Sequence, residues 1–241
     1  MRVVIDENVA AGQRAFARFG DVVPVPGREI DPEDVSRASA LIVRSVTHID
    51  RMLLGGSLVE FVGTATSGCD HVDTAWLAER DIAFAHAPGC NASAVADWVV
   101  AALAALHANG RHRLGRGTVG VVGAGCVGSR VARRLRALGY ETRVCDPPRA
   151  AAEGEEGFVT LAEALGSDVV TLHVPLVDGG DYPTHALIGT AALESVPDGA
   201  VLINAARGGV VDEDALATRL DDGPDLVTVI DTWAGEPAID A

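Results

Sequence analysis

The chain has 241 residues, 48% of them hydrophobic and 4% aromatic, enough apolar material for one large or two medium cores. Its formal net charge of −15 argues against nucleic acid or an anionic membrane as partner. All 19 basic residues are arginine, so a P-loop lysine or a lysine Schiff base is impossible, which excludes kinase-like P-loop and pyridoxal-phosphate chemistry.

No apolar run is long enough to span a bilayer, and an acid, Asp6, falls early in a start that has no cleavage-site pattern. Neither a membrane span nor a signal peptide is expected. Cys69, Cys90, Cys126 and Cys145 form no C-x-x-C and no metal-ligand spacing. A reduced, cytoplasmic location without a metal site is expected.

In chain order, strand-like runs at 3–5, 21–25, 40–44, 60–64 and 82–85 alternate with helical stretches such as 9–19 and 74–80. That alternation predicts a parallel α/β lobe over residues 1–91. Pro88-Gly89 breaks the pattern, and residues 92–108 read as a long helix with Val95, Val99, Leu103 and Leu106 on one stripe. A polar linker rich in Arg and Gly runs on to 116. A second lobe over 117–241 has strands at 118–122, 142–145, 169–174, 200–204 and 226–231. The acidic segment 150–157 reads as a solvated loop.

The densest signal is Gly123-Ala124-Gly125-Cys126-Val127-Gly128 between the strand at 118–122 and a helical pattern on Val127, Val131, Leu135 and Leu138. The next strand delivers Asp146, 18 residues after Gly128. Strand, G-x-G-x-x-G, helix, strand and acid is the order a dinucleotide site needs. Gly123 permits the tight turn, Gly125 lets a pyrophosphate approach the backbone, and Gly128 lets the helix pack on the sheet. The N–H groups of Cys126 and Val127 face the same phosphates, so their side chains matter little. Asp146 accepts the ribose hydroxyls and repels a 2′-phosphate, which favours NAD over NADP; nearby Arg149 weakens that preference. Cys126 and Cys145 read as small buried residues within this motif. The expected fold class is α/β: two Rossmann-like parallel-sheet lobes joined by a long helix, with a C-terminal part missing.

Several other residues carry two readings. Arg207 follows a strand, where its guanidinium can hold a carboxylate in a fork, or it is a surface arginine in a Gly-Gly turn. Asp231 ends the last strand, within reach of a nicotinamide carboxamide, or caps a helix. Arg44 is a phosphate cation or a strand-end ion pair. His71 sits in a helix-start pattern that suggests capping, and His173 reads as structural or cofactor-adjacent. Neither histidine is expected to be a catalytic base.

These residues together resemble the D-2-hydroxyacid dehydrogenases. Shared marks are the Gly loop with Asp146, His173-Val174-Pro175, Asn204-Ala205-Ala206-Arg207-Gly208, and Asp231-Thr232-Trp233 leading to Glu236-Pro237. Others resemble the branch acting on 4-phosphoerythronate. They include Asp6-Glu7-Asn8, Arg44-Ser45-Val46-Thr47, Gly63-Thr64-Ala65-Thr66-Ser67-Gly68, Asp70-His71-Val72-Asp73 and Pro147-Pro148-Arg149.

The resemblance implies NAD-dependent oxidation of the 2-hydroxyl of 4-phospho-D-erythronate, in pyridoxal phosphate biosynthesis. It makes Arg207 and Glu236 catalytic, Glu236 by orienting a histidine. It assigns Val174, Ala205, Ala206 and Asp231 to the cofactor, and Ser45, Thr66 and Arg44 to a small phosphorylated hydroxy acid, where short hydroxyls suit a carboxylate or phosphate. A homodimer is implied for the complete protein. The family's proton-transfer histidine should lie beyond Glu236, yet none follows His185, so this chain is expected to lack it. A phosphoglycerate-type dehydrogenase and a non-catalytic NAD-binding module remain the competing readings.

Overall fold

The computed structural model describes residues 1–222, 225–236 and 239. The chain divides into two compact units, Met1–Asn91 and Ala92–Ala241. Each holds a five-stranded, all-parallel sheet among the described residues.

In the first unit the strands are β1 (Arg2–Asp6), β2 (Asp21–Val25), β3 (Ala40–Val43), β4 (Phe61–Thr64) and β5 (Ala83–Ala85). They lie in the order β2-β1-β3-β4-β5. The connecting helices are α1 (Gly12–Phe16), α2 (Pro32–Val35), α3 (Arg51–Leu54) and α4 (Thr74–Glu79). The continuous helix expected over 9–19 is instead α1 followed by a 3-10 turn at Ala17–Phe19, with Ala11 left-handed at φ 56° before it. Val4, Leu41, Val43 and Val62 bury one face of the sheet, and Val3, Ile5, Ala40 and Ile42 the other. Covering both faces is why these strands read as apolar runs rather than alternating patterns.

The second unit opens with α5 (Ala92–Ala108), followed by β6 (Thr118–Val122), α6 (Gly128–Ala137), β7 (Glu141–Cys145), α7 (Pro147–Glu153), α8 (Leu161–Leu165) and β8 (Val169–Leu172). Then come α9 (Thr190–Glu194), β9 (Val201–Asn204), α10 (Glu213–Asp222) and β10 (Val227–Ile230). The order is β10-β9-β8-β6-β7. Ala96, Val99 and Leu103 of α5 pack with Val131, Ala132 and Leu135 of α6 over Val119, Val121 and Ile203. The residues after α5 also dock: His112 stacks on Tyr140, with Nε2 2.7 Å from the phenol oxygen.

The expected loop at 150–157 is half helix. Asp146 caps α7 by accepting from the Arg149 N–H, and Pro147 and Pro148 fill its first positions, where a missing N–H costs nothing. The acidic loop begins only at Gly154, which has φ 102°.

Candidate dinucleotide and substrate residues

Strand order reverses between β6 and β8, and ligands of doubly wound sheets sit at the carboxyl ends of strands at such a point. Gly123 follows β6 with φ +88°, and its N–H donates to the Cys145 carbonyl at 2.8 Å. A Cβ on Gly123 would lie 2.6 Å from the His173 carbonyl oxygen, and one on Gly128 would collide with the Gly123 carbonyl. The protein's own packing therefore demands both glycines. Gly125 differs, because a Cβ there meets no atom of the described residues within 4 Å. The open space above Gly125 is a cradle that a side chain would fill. Among the described residues no side chain caps the start of α6; the Ser129 and Arg130 N–H groups already donate to the Gly125 and Val127 carbonyls, which confines an anion site to the N–H groups before them. Cys126 is exposed rather than buried, since no neighbour encloses this loop tip. Cys145 is buried, and burial with the Asp146 charge pushes its thiol up to about 11.

Asp146 is held from two sides. Its Oδ2 accepts from the Ala124 N–H at 2.7 Å and its Oδ1 from the Arg149 N–H at 3.1 Å. Arg149 donates from Nε and Nη2 to Glu153 at 2.8 and 2.7 Å, and from Nη1 to the Ala124 carbonyl at 2.7 Å. The cation nearest Asp146 is thus neutralised by Glu153. Beside Asp146 lies a cavity of about 450 Å³ whose walls include Pro147, Leu161, Val174 and Leu187. The walls are mostly apolar and carry two carboxylates, Asp146 and Asp181, which suits a flat base attached to a diol.

His173 also lines this cavity. Its Nε2 pairs with the Thr171 hydroxyl at 2.9 Å, while its buried Nδ1 has no partner among the described residues. Burial pushes its pKa down from 6.5 to about 4, so it is neutral at pH 7 and a poor base. The unfolded chain therefore binds more protons between pH 6.5 and 4, and stability falls as pH drops through that window. The loss amounts to at most about 3 kcal/mol. In urea unfolding at pH 7 and pH 5, His173→Phe should flatten this slope, and an unchanged slope would refute the assignment.

Arg207 lies in the loop after β9, and its Nη1 donates to the Ala206 carbonyl at 2.8 Å. Asn204, 2% exposed, organises that loop. Its Nδ2 donates to the carbonyls of Arg207 (3.1 Å) and Thr232 (3.4 Å), and its Oδ1 accepts from the Ala206 N–H (3.1 Å). A Cβ on Gly208 would collide with the Trp233 carbonyl, so the Arg207 turn presses against the segment after β10. Glu236 accepts from the Trp233 N–H at 2.8 Å, which folds it back onto that segment. Asp231 donates its N–H to the Asn204 carbonyl at 2.9 Å. Desolvation, then the Glu236 charge, raises its pKa. Asn204 was legible only as part of a motif, because its role lies in bonds to two separate loops.

In the first unit Arg44 pairs with Asp6 through Nε at 2.8 Å, and the Asp6 carboxylate is fully buried. The strand-end ion pair is therefore real, and Arg44 stays about a third exposed. Ser45 is exposed. Thr66 donates to the Gly68 carbonyl at 2.9 Å and lies 2.7 Å from Thr64 Oγ1, which lies 3.0 Å from His71 Nε2. His71 is not the expected helix cap. Asp73 caps α4 by accepting from the Trp76 N–H, and His71 is buried beneath. Among the described residues no group of three or more His, Cys, Asp or Glu could hold a metal, and no helix is long and apolar enough to cross a membrane.

Residues 91–241 match the NAD-binding domain of the D-isomer specific 2-hydroxyacid dehydrogenases. An erythronate-4-phosphate dehydrogenase of Salmonella arizonae is 48% identical over 98% of the chain. One from Chromohalobacter salexigens is 47% identical over 100% of it. The chain spans 63% of the length of each of these relatives. Among solved structures, the NAD+-bound 3-phosphoglycerate dehydrogenase of Entamoeba histolytica is 25% identical, with a TM-score of 0.82 over 98% of this chain and 82% of that one.

Proposed function

The chain belongs to the D-isomer specific 2-hydroxyacid dehydrogenase family, and on that footing we propose that the whole protein oxidises the 2-hydroxyl of 4-phosphoerythronate. The observation that carries the substrate is the near-half identity to erythronate-4-phosphate dehydrogenases, which runs through the first unit as well as the second. The cofactor is NAD, which when bound takes up the hydride from carbon 2.

The chain's own residues supply binding and orientation. Gly123, Gly125 and Gly128 shape the phosphate cradle, and the N–H groups of Cys126 and Val127 donate into it. Asp146 receives the ribose hydroxyls, while Val174, Ala205, Ala206 and Asp231 hold the rest of the dinucleotide. Arg207 grips the substrate carboxylate, and its charge favours the forming carbonyl. Glu236 orients the base that takes the hydroxyl proton. His173 is too acidic for that role. Arg44, Ser45 and Thr66 are assigned to the phosphorylated acid, and the complete protein to a homodimer.

The test is formation of NADH by the complete protein from 4-phosphoerythronate against a panel including 3-phosphoglycerate and lactate. Selective turnover of the first supports the reading, and preference for another acid overturns it. Asp146→Ser should weaken NADH binding about 10-fold, the worth of a charge-assisted hydrogen bond near 1.5 kcal/mol, and narrow the gap to NADPH. An unchanged ratio of the two affinities in a fluorescence titration would count against Asp146 as the discriminating group.

A further inference from the structure

Thr66 is assigned to the substrate above, but its geometry restricts what it can bind. A threonine hydroxyl has one proton. The Gly68 carbonyl can only accept, so at 2.9 Å it takes the Thr66 proton. The 2.7 Å contact between Thr64 and Thr66 must then be a donation from Thr64. With the Thr64 proton spent, the 3.0 Å contact to His71 requires Nε2 to carry a proton. The bonds run one way: His71 Nε2–H to Thr64, Thr64 to Thr66, and Thr66 to the Gly68 carbonyl. Thr64 and His71 are 4% and 8% exposed, so this interior chain has little water to rearrange it, whereas Thr66 is partly open to solvent.

We propose that Thr66 offers only an oxygen lone pair to the substrate, and therefore accepts a hydrogen bond from a substrate hydroxyl rather than donating to a carboxylate or phosphate. His71 is the positioning residue at the head of the chain. The hydroxyl in question is the non-reacting one. A proton released by oxidation needs a base, and a chain that ends on an amide carbonyl offers none. The first unit thereby selects acids with a second hydroxyl beside the reacting one. This inference rests on the substrate reading above.

The test compares the complete protein's KM and kcat for 4-phosphoerythronate and for its 3-deoxy counterpart, 2-hydroxy-4-phosphobutanoate. Thr66→Val should raise KM about 10-fold for the first acid, the worth of one hydrogen bond. It should leave the 3-deoxy acid within about 2-fold and kcat little changed. Thr66→Ser should retain the wild-type pattern. His71→Leu should raise KM for the hydroxylated acid selectively, and His71→Gln, whose amide can donate from a similar reach, should restore it. The His71 ring in nuclear magnetic resonance spectra should carry a proton on Nε2.

Equal effects of Thr66→Val on both acids, no effect on either, or a bare Nε2 would overturn the inference and leave the substrate reading standing. A wild-type protein that turns over neither acid overturns the substrate reading, and this inference with it. The Thr66 variants keep the test decisive if His71→Leu does not fold.

Discussion

Gly125→Ala is expected to leave the fold intact and to cripple NADH binding, whereas Gly128→Ala is expected to damage the fold itself. The two glycines sit three residues apart in one motif, yet their surroundings differ completely. A methyl at 125 meets no protein atom within 4 Å, and Gly125 is not in the left-handed region. Such a substitution is neutral or stabilises by about 0.4–1 kcal/mol, by narrowing the unfolded ensemble. On the function proposed above, the same methyl stands where the pyrophosphate approaches, at an overpacking cost of about 1–3 kcal/mol, or roughly 5–150-fold in affinity. At 128 the methyl runs into the Gly123 carbonyl, a backbone group fixed by the Gly123 N–H bond to β7. Relief needs α6 to move off the sheet, exposing Val131 and Leu135, and a loss of about 3 kcal/mol or more follows. Urea midpoints and NADH titrations on both variants separate the effects. Normal NADH binding by Gly125→Ala would sink the cradle.

The second large effect is an asymmetry across the Asp6–Arg44 pair. Arg44→Ala strands a fully buried carboxylate without its cation. Breaking a buried pair in that way costs about 3–5 kcal/mol. Asp6→Asn leaves Arg44 without its anion, but Arg44 is about a third exposed and can turn to water. The asparagine oxygen can still accept from the Asn8 N–H, as Asp6 does at 2.9 Å. About 1 kcal/mol is the expected loss. Comparable losses from the two substitutions in urea unfolding would show that the burial of Asp6 does not govern the pair. The result bears on function too. Loss of substrate affinity in Arg44→Ala mixes binding with stability, and Asp6→Asn is the variant that loosens Arg44 while keeping its charge.

Much of the fold was legible because its signals are local. β6, β2 and α5 stand at the residues expected for them, since an apolar run bounded by Gly, Pro or Asp needs no distant partner to be recognised. The failures share a cause. Residues 150–153 read as an acidic loop, but Asp146 and two prolines start a helix there, and capping outweighed composition. The stretch over 9–19 carried a helical pattern that the left-handed Ala11 cut short. The strand expected at 169–174 overran β8 by two residues, His173 and Val174, which continue into the loop that lines the cavity, and the one at 226–231 overran β10 by one residue at each end.

The residues proposed for the dinucleotide rest on a local signal too: a Gly-rich turn, a helix start and an acid at fixed spacing are a chemical requirement written in one continuous segment. Long-range contact decided the rest. It separated the two roles of the motif's glycines, since the neighbour that excludes a side chain at 123 is His173, fifty residues away in sequence. It paired Arg44 with Asp6 across 38 residues and tied Asn204 to the Thr232 carbonyl, whereas the shorter pairings of Arg149 with Glu153 and of His71 with Thr64 were settled by the local folded backbone. Sequence specifies which groups are available and the local backbone they favour. Which partner each polar group takes follows from parallel pairing of strands distant in sequence, which brings their carboxyl ends, and the loops that follow them, to one edge of each sheet.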